Sequence, residues 1–351
     1  MPLQITRLVT FQVSADTAET DYDDAVPAVD TLIKVAVGTI PNLQVALQDD
    51  TDLAGGNEEP EASAVSSKSV IMPINQPRAR PHTLAFLAAY AQGVATASLV
   101  SDTLVYKHLI RNTAKFTLPS FVAEGLIKAT LQKKYAGCAI DNFTLRINRG
   151  AEKWVDIAAN ALASGTITNG TADTAEPVEE ALTGGDMVCF LGATTWDNIT
   201  SDGLDLSTSD LNGTPSDITA DITSIAWEFS NNVDSDFNYE LGAGLVFGNM
   251  YRGPRSQTVT LSVLADVYDE VDRLTGQTDL AMDVKLRGSL IENSRYYGFA
   301  LLFPMLRERT VELADDSGRL VYNIEFIVHQ KGTYDSVYFD VYNQRAGPYA
   351  A

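Results

Sequence analysis

Cysteine, histidine and tryptophan are scarce: the 351 residues hold two cysteines, three histidines and three tryptophans. Cys138 and Cys189 sit in apolar contexts (AGCAI and MVCFL) with no CxxC pair, so buried free thiols are expected rather than a disulfide. His82, His108 and His329 show no HxxxH spacing and no neighbouring cysteine, which leaves no zinc pattern; each is expected to be a surface or capping residue. No GxSxG elbow occurs. Basic residues are outnumbered, 25 Lys and Arg against 46 Asp and Glu, for a net charge of −21. Such a chain lacks the clustered cations that grip phosphate, although a negative wall lets nucleic acid pass without sticking. Solubility, or adaptation to a salty habitat, accounts for the acidity equally well. No apolar run reaches the ~20 residues of a membrane helix. The longest, GFALLFPMLRE, is interrupted by Pro304 and reads as a buried strand. The first residues lack a basic start followed by an apolar stretch, so no signal peptide is expected.

Two weaker patterns also fall short of a site. ELGAGLVFGN places Gly242, Gly244 and Gly248 as GxGxxxG with no helix-opening sequence behind them, which suits a turn better than a phosphate cradle. Asp197, Asp202, Asp205 and Asp210 cluster without EF-hand spacing, leaving at most a weak calcium site. Neither a cofactor nor a metal is expected. The Asn-x-Thr triplets at Asn142, Asn169, Asn198 and Asn212 follow from Thr-rich composition rather than glycosylation.

What the chain does have is alternation. With 45% hydrophobic and 20% charged residues it is a globular sequence with room for two domains. Residues 1–34 read as an extended arm with an acidic segment at 14–31, and 48–68 is a polar Gly/Glu/Ser stretch. Neither composition orders itself alone. HTLAFLAAYAQG reads as a helix, with Leu84, Leu87, Ala88 and Ala91 at helical spacing, Thr83 as a possible cap and Gly93 as its end. ADVYDEVDRLTG, closing at Gly276, reads as a second. Strands are expected in KFTLPSFVAEGLIK, in KYAGCAIDNFTLRINR and in DITSIAWEFSNNV, where Ile225, Trp227 and Phe229 share a face. SQTVTLSVL, DLAMDVKLRGSLI, YYGFALLFPMLRERTVEL and GRLVYNIEFIVHQ follow the same pattern. The fold class is therefore mainly β, with antiparallel strands in a sandwich or rolled sheet and a flanking helix. Residues 35–162 and 222–351 form two domains, joined by a Thr/Ser/Gly/Asp-rich connection at 163–221 with MVCFL as its one strand.

The two domains share a pattern. Tyr135, Gly137, Ala139, Leu145 and Arg146 line up with Tyr296, Gly298, Ala300, Leu306 and Arg307. A helix precedes each run, and a strand follows each (KWVDIA and LVYNIE). An internal duplication is expected, with Tyr135, Gly137, Leu145, Arg146, Tyr296, Gly298, Leu306 and Arg307 marking repeated strands at an interface or a channel wall. Phe299 stands where the first copy has Cys138, so no thiol chemistry is required. The glycines suit bulges or close packing in long strands.

KFTLPSFVAEG followed by KKYAGCAIDNFTLRINRG resembles a run in the tail tube (major tail) proteins of long-tailed, siphovirus-type bacteriophages and related tailed viruses. ITSIAWEFSNNVDSDFNYELG and then RGPRSQTVTLSVLADVYDEV are similar to that family's next segments in the same order. The resemblance spans about residues 35–345; the segments at 14–31 and 48–68 and the Thr-rich connection have no counterpart. It implies a non-enzymatic structural protein of the virion tail, made in the host cytoplasm. Copies would assemble into stacked rings whose inner strands close into one ring-wide β-barrel for DNA. Trimeric rings with pseudo-sixfold symmetry fit a duplicated chain, with hexamers as the alternative. Implied partners are other copies of the chain, the tape-measure protein, the tail terminator and the distal tail proteins, with no membrane insertion. DNA would pass a wall of acidic lumen residues without sticking. A capsid decoration or baseplate role, and a carbohydrate-binding sandwich, are the competing expectations.

Overall fold

The computed structural model describes the chain except for residues 1–8, 25–26, 37–40, 50–62, 101–103, 128–130, 149–153, 172, 176, 194–203, 212–214, 234–237, 240–244, 266–273 and 351. It is mainly β. The elements run β1 (Val9–Val13), β2 (Thr31–Ile33), β3 (Asn42–Asp49), β4 (Ser63–Gln76), α1 (Pro81–Gln92), β5 (Gly93–Leu99), β6 (Tyr106–Asn112), β7 (Phe121–Ile127), β8 (Leu131–Asn148), β9 (Val155–Ala163) and β10 (Ile167–Asn169). They continue with β11 (Asp186–Ala193), β12 (Ser216–Asp217), β13 (Ile222–Ser230), β14 (Ser256–Leu264), β15 (Asp279–Glu292), β16 (Arg295–Asp316), β17 (Arg319–Val328) and β18 (Tyr338–Asn343). The strands join one large antiparallel sheet that does not close into a barrel.

The pairing repeats. In the first half β1 pairs β2 and β7, β7 pairs β8, and one edge of β8 carries β9 and then β10. In the second, β11 pairs β12 and β15, β15 pairs β16, and one edge of β16 carries β17 and then β18. The β3–β4 hairpin lies against β9 as the β13–β14 hairpin lies against β17. Residues 163–221, expected as an irregular connection with one strand, thus hold three. β10 returns to the first copy, while β11 and β12 open the second. The β5–β6 hairpin has no counterpart among the described residues. The expected helix at 265–276 lies largely outside them, and Leu274 to Gly276 are helical.

Irregularities in the ladders fix which residues correspond. Phe121 faces Cys138 and Ala123 faces Tyr135, just as Leu280 faces Leu306 and Met282 faces Phe303. A bulge between Ile140 and Asn142 matches one between Glu308 and Thr310. The counterpart of Tyr135 is therefore Phe303 rather than Tyr296, that of Leu145 is Leu313 rather than Leu306, and that of Arg146 is Ala314 rather than Arg307. The Tyr-x-Gly likeness had slid along two long alternating strands. A bulge adds one residue without changing face, so several registers look equally good in sequence.

Helix α1 begins with Pro81 at its first position and ends at Gly93, whose left-handed φ of 92° lets its N–H donate to the Ala89 carbonyl. The N-cap is Arg80, without a side-chain cap. Thr83 is buried instead and accepts from the Gln76 amide at 3.2 Å. Every residue from Thr83 to Gln92 is buried, as an all-round apolar helix requires. The helix packs on β8, β6 and β18, spanning both repeats. One hydrophobic core likewise runs through both. At its centre the Trp227 ring meets Phe143 at 4.9 Å, Phe303 at 5.7 Å and Phe339 at 5.5 Å, from β8, β16 and β18.

Candidate functional site: a polar sheet face

Strands β3-β4-β9-β8-β13-β14-β17-β16 lie side by side in that order. One face of this run is core: Ile74, Ala159, Phe143, Trp227, Leu261 and Ile324 are buried on successive strands. The other face is built from the alternate positions, in rows fixed by register. One row reads Asp156, Arg146, Ala226, Thr260, Glu325 and Thr310 across β9, β8, β13, β14, β17 and β16. The row beside it reads Asn148, Ser224, Ser262, Asn323 and Glu312.

Hydroxyls, amides and small side chains dominate these rows. Ser262 Oγ donates to Asn323 at 2.6 Å and the Asn160 amide donates to Asn142 at 3.0 Å, ties that hold polar groups flat along the sheet. Three arginines here sit beside carboxylates: Arg146 lies 3.6 Å from Glu228, Arg309 lies 3.2 Å from Glu325 and Arg307 lies 2.6 Å from Asp279. Partial burial raises the Asp156 carboxyl above its ordinary range, against the pull of Arg146. The face is thus smooth, hydrophilic and slightly acidic, with no patch of cations for phosphate among the described residues.

Of the eight repeat-strand residues, Arg146 and Arg307 are on this face, Arg307 closing the row of Thr144, Glu228, Thr258 and Ile327. Leu145 and Leu306 are core residues. Tyr135 is half-buried on the first half of β8, opposite Ala123 and Ile167, and burial raises its phenol. Tyr296 stacks with the Arg287 guanidinium at 4.5 Å. Arg307 is held by Asp279 at 2.6 Å.

The two glycines are where close approach demands them. At Gly137 (φ 62°) a Cβ would strike the Tyr22 ring, while its N–H donates to the buried Glu19 carboxylate at 3.0 Å. At Gly298 a Cβ would strike the Leu286 carbonyl across the ladder. The acidic 14–31 segment was therefore not a loose arm at Glu19 and Tyr22: it packs onto β8. Composition hides this, because the ordering partner is distant in sequence.

The other sequence candidates resolve into structure. Cys138 and Cys189 are buried free thiols whose pKa values burial raises. Asp205 folds its own loop, accepting from the Ser207 N–H at 2.8 Å. Asp210 pairs with the buried Lys285 at 3.2 Å, and its N–H donates to Asp283 at 2.8 Å. Asp197, Asp202, Gly242 and Gly244 lie outside the described residues. Among the described residues no group of His, Cys, Asp and Glu is placed to hold a metal ion, and no helix is long and apolar enough to cross a membrane.

His108 departs from expectation. It is fully buried, with Nε2 2.8 Å from the Asn343 side-chain oxygen and its ring 4.9 Å from Tyr349, and burial pushes its pKa down to about 4. His82 is also well covered, next to Arg345 at 3.0 Å and Tyr349 at 5.1 Å, and burial lowers it to about 4. No model of a known protein family matches the chain, and no curated protein matches it.

Proposed function

We propose that this chain is the subunit of a hollow viral tail tube, built of stacked rings through which double-stranded DNA reaches the host. The observation that carries this reading is the strand run from β3 to β16: an open sheet, apolar behind and polar in front, whose β3 edge and distal β16 edge (Thr310 to Asp316) have no partner among the described residues. Such a sheet suits closure between copies, because a closed barrel removes every edge. Three copies would contribute roughly 24 strands, and at ordinary strand spacing and tilt the barrel would measure roughly 45 Å between opposite backbones, ample for a duplex. The duplicated pairing favours trimers with pseudo-sixfold symmetry over hexamers.

In this reading the channel works passively. DNA passes a wall of hydroxyls, amides and paired charges that releases no counterions and therefore holds no phosphate. The tape-measure protein would fill the tube before DNA does, and terminator and distal tail proteins would meet its ends. Electron microscopy of the purified protein tests the proposal. Hollow tubes or stacked rings are expected, with a ring mass of three chains; a monomer that persists at high concentration would overturn it.

A further inference from the structure

The chain contains a template for its own subunit contact. The two repeats meet where β13 of the second adds to the free edge of β8 in the first, with Phe229 opposite Phe143 and Ser230 opposite Asn142. By the matched pairings β3 is the counterpart of β13, and the distal part of β16 is the counterpart of that part of β8. Yet among the described residues β3 pairs only with β4, and Thr310 to Asp316 pair only with β17. Each is thus an exposed edge whose internal counterpart is paired.

We infer that β3 of one copy adds to the distal edge of β16 in the next copy, antiparallel and in the register of the β13–β8 junction. The bulges make Thr310 the counterpart of Asn142 and Val311 that of Phe143. On the other side Thr260 and Pro73 occupy matching places, facing Glu325 and Asn160, so Leu43 is the counterpart of Phe229 and Gln44 of Ser230. The contact therefore sets Leu43 opposite Val311, Gln44 opposite Thr310 and Asn42 opposite Glu312.

The surface chemistry agrees with a second copy as the occupant. Leu43, Val45 and Leu47 on β3 are 45%, 42% and 62% exposed, and Leu313 at the β16 tip is 57% exposed. A long bare apolar edge invites pairing, and natural sheets normally blunt such edges with charge. Residues Asn42 to Gln48 carry none, so Glu312, which this register sets opposite Asn42, meets no like charge there.

This contact rests on the ring reading, and the test separates the two. A Leu43→Cys plus Val311→Cys chain is allowed to assemble, treated with a mild oxidant or short bis-thiol reagent, and run without reductant. The buried Cys138 and Cys189 do not compete. Intermolecular cross-linking at least tenfold faster than in a Leu43→Cys plus Ala314→Cys control, whose second thiol lies on the opposite face, supports the contact. Separately, Leu43→Lys should raise the concentration needed for assembly at least tenfold, with thermal unfolding of the monomer unchanged. Rings that form without a cross-link between positions 43 and 311 of neighbouring copies overturn this contact and leave the ring reading standing. A wild-type chain that never assembles overturns both.

Discussion

Gly137 shows how a single position carries long-range information. Its φ of 62° is open to glycine and costly for a side chain, and the Tyr22 ring fills the place of its Cβ. Gly137→Ala should cost about 1–3 kcal/mol in urea unfolding. Gly125→Ala, where nothing lies within 4 Å of the added methyl, should change stability little. Titration separates two other buried residues. His108 has a folded pKa near 4 against an ordinary 6.5, so between those values the unfolded chain binds the extra proton. Its contribution to stability is therefore lost as pH falls from 6.5 to 4, by about 3 kcal/mol. Asp283 runs the other way. Burial, partly offset by Lys285, raises its carboxyl from 3.8 to about 6, so its protonation favours the folded chain as pH falls through that window. Melting temperatures taken from pH 7 to 4 should fall less steeply in His108→Gln than in wild type, and more steeply in Asp283→Asn. Parallel profiles would remove both assignments.

Among the elements, α1 was the most legible, because an apolar body at helical spacing and Gly93 are local signals, although Pro81 rather than the expected cap Thr83 opens it. Its anchoring was not. The Arg255 guanidinium, from the start of β14 in the other repeat, donates to the Gln92 carbonyl at 3.0 Å, the Thr113 carbonyl at 2.7 Å and the Asn231 side chain at 2.9 Å. Asn231 in turn donates to the Ala91 and Ile140 carbonyls, both at 2.9 Å. A planar cation and the amide it orients thus satisfy the last two carbonyls of the helix, Gln92 and Ala91, and the cation complements its dipole. Arg255→Ala should cost about 2–4 kcal/mol in chemical denaturation, because buried carbonyls lose their donors. Arg255→Lys should recover little, since an ammonium cannot span the same fork. Recovery by lysine to near wild type would show that charge alone matters. No sequence period announces such a residue, because every group it touches is set by the tertiary fold.

At the scale of the whole molecule, the sequence displayed alternating strands and a doubled pattern, yet hid their register. Polar-face positions such as Thr144, Arg146, Glu228 and Glu325 were readable as the alternates of buried neighbours. Which strand lies beside which, and hence which rows form, needed the structure. The rows bear on how the tube would treat DNA. In the proposed tube this face would present mostly hydroxyls and amides to DNA, with Arg146, Arg307 and Arg309 each beside a carboxylate. Weak adhesion would then depend on pairing those cations more than on repelling phosphate. Replacing Glu228 and Glu325 by Lys leaves Arg146 and Arg309 without these partners and adds two more cations per chain to the same face. Assembled tubes of that variant should retain duplex DNA in sedimentation, and the retention should weaken steeply with salt, with a log–log slope of about −0.9 for each phosphate neutralised. Wild-type tubes should retain none. If the variant tubes assemble and still hold no DNA, this polar face does not line the channel.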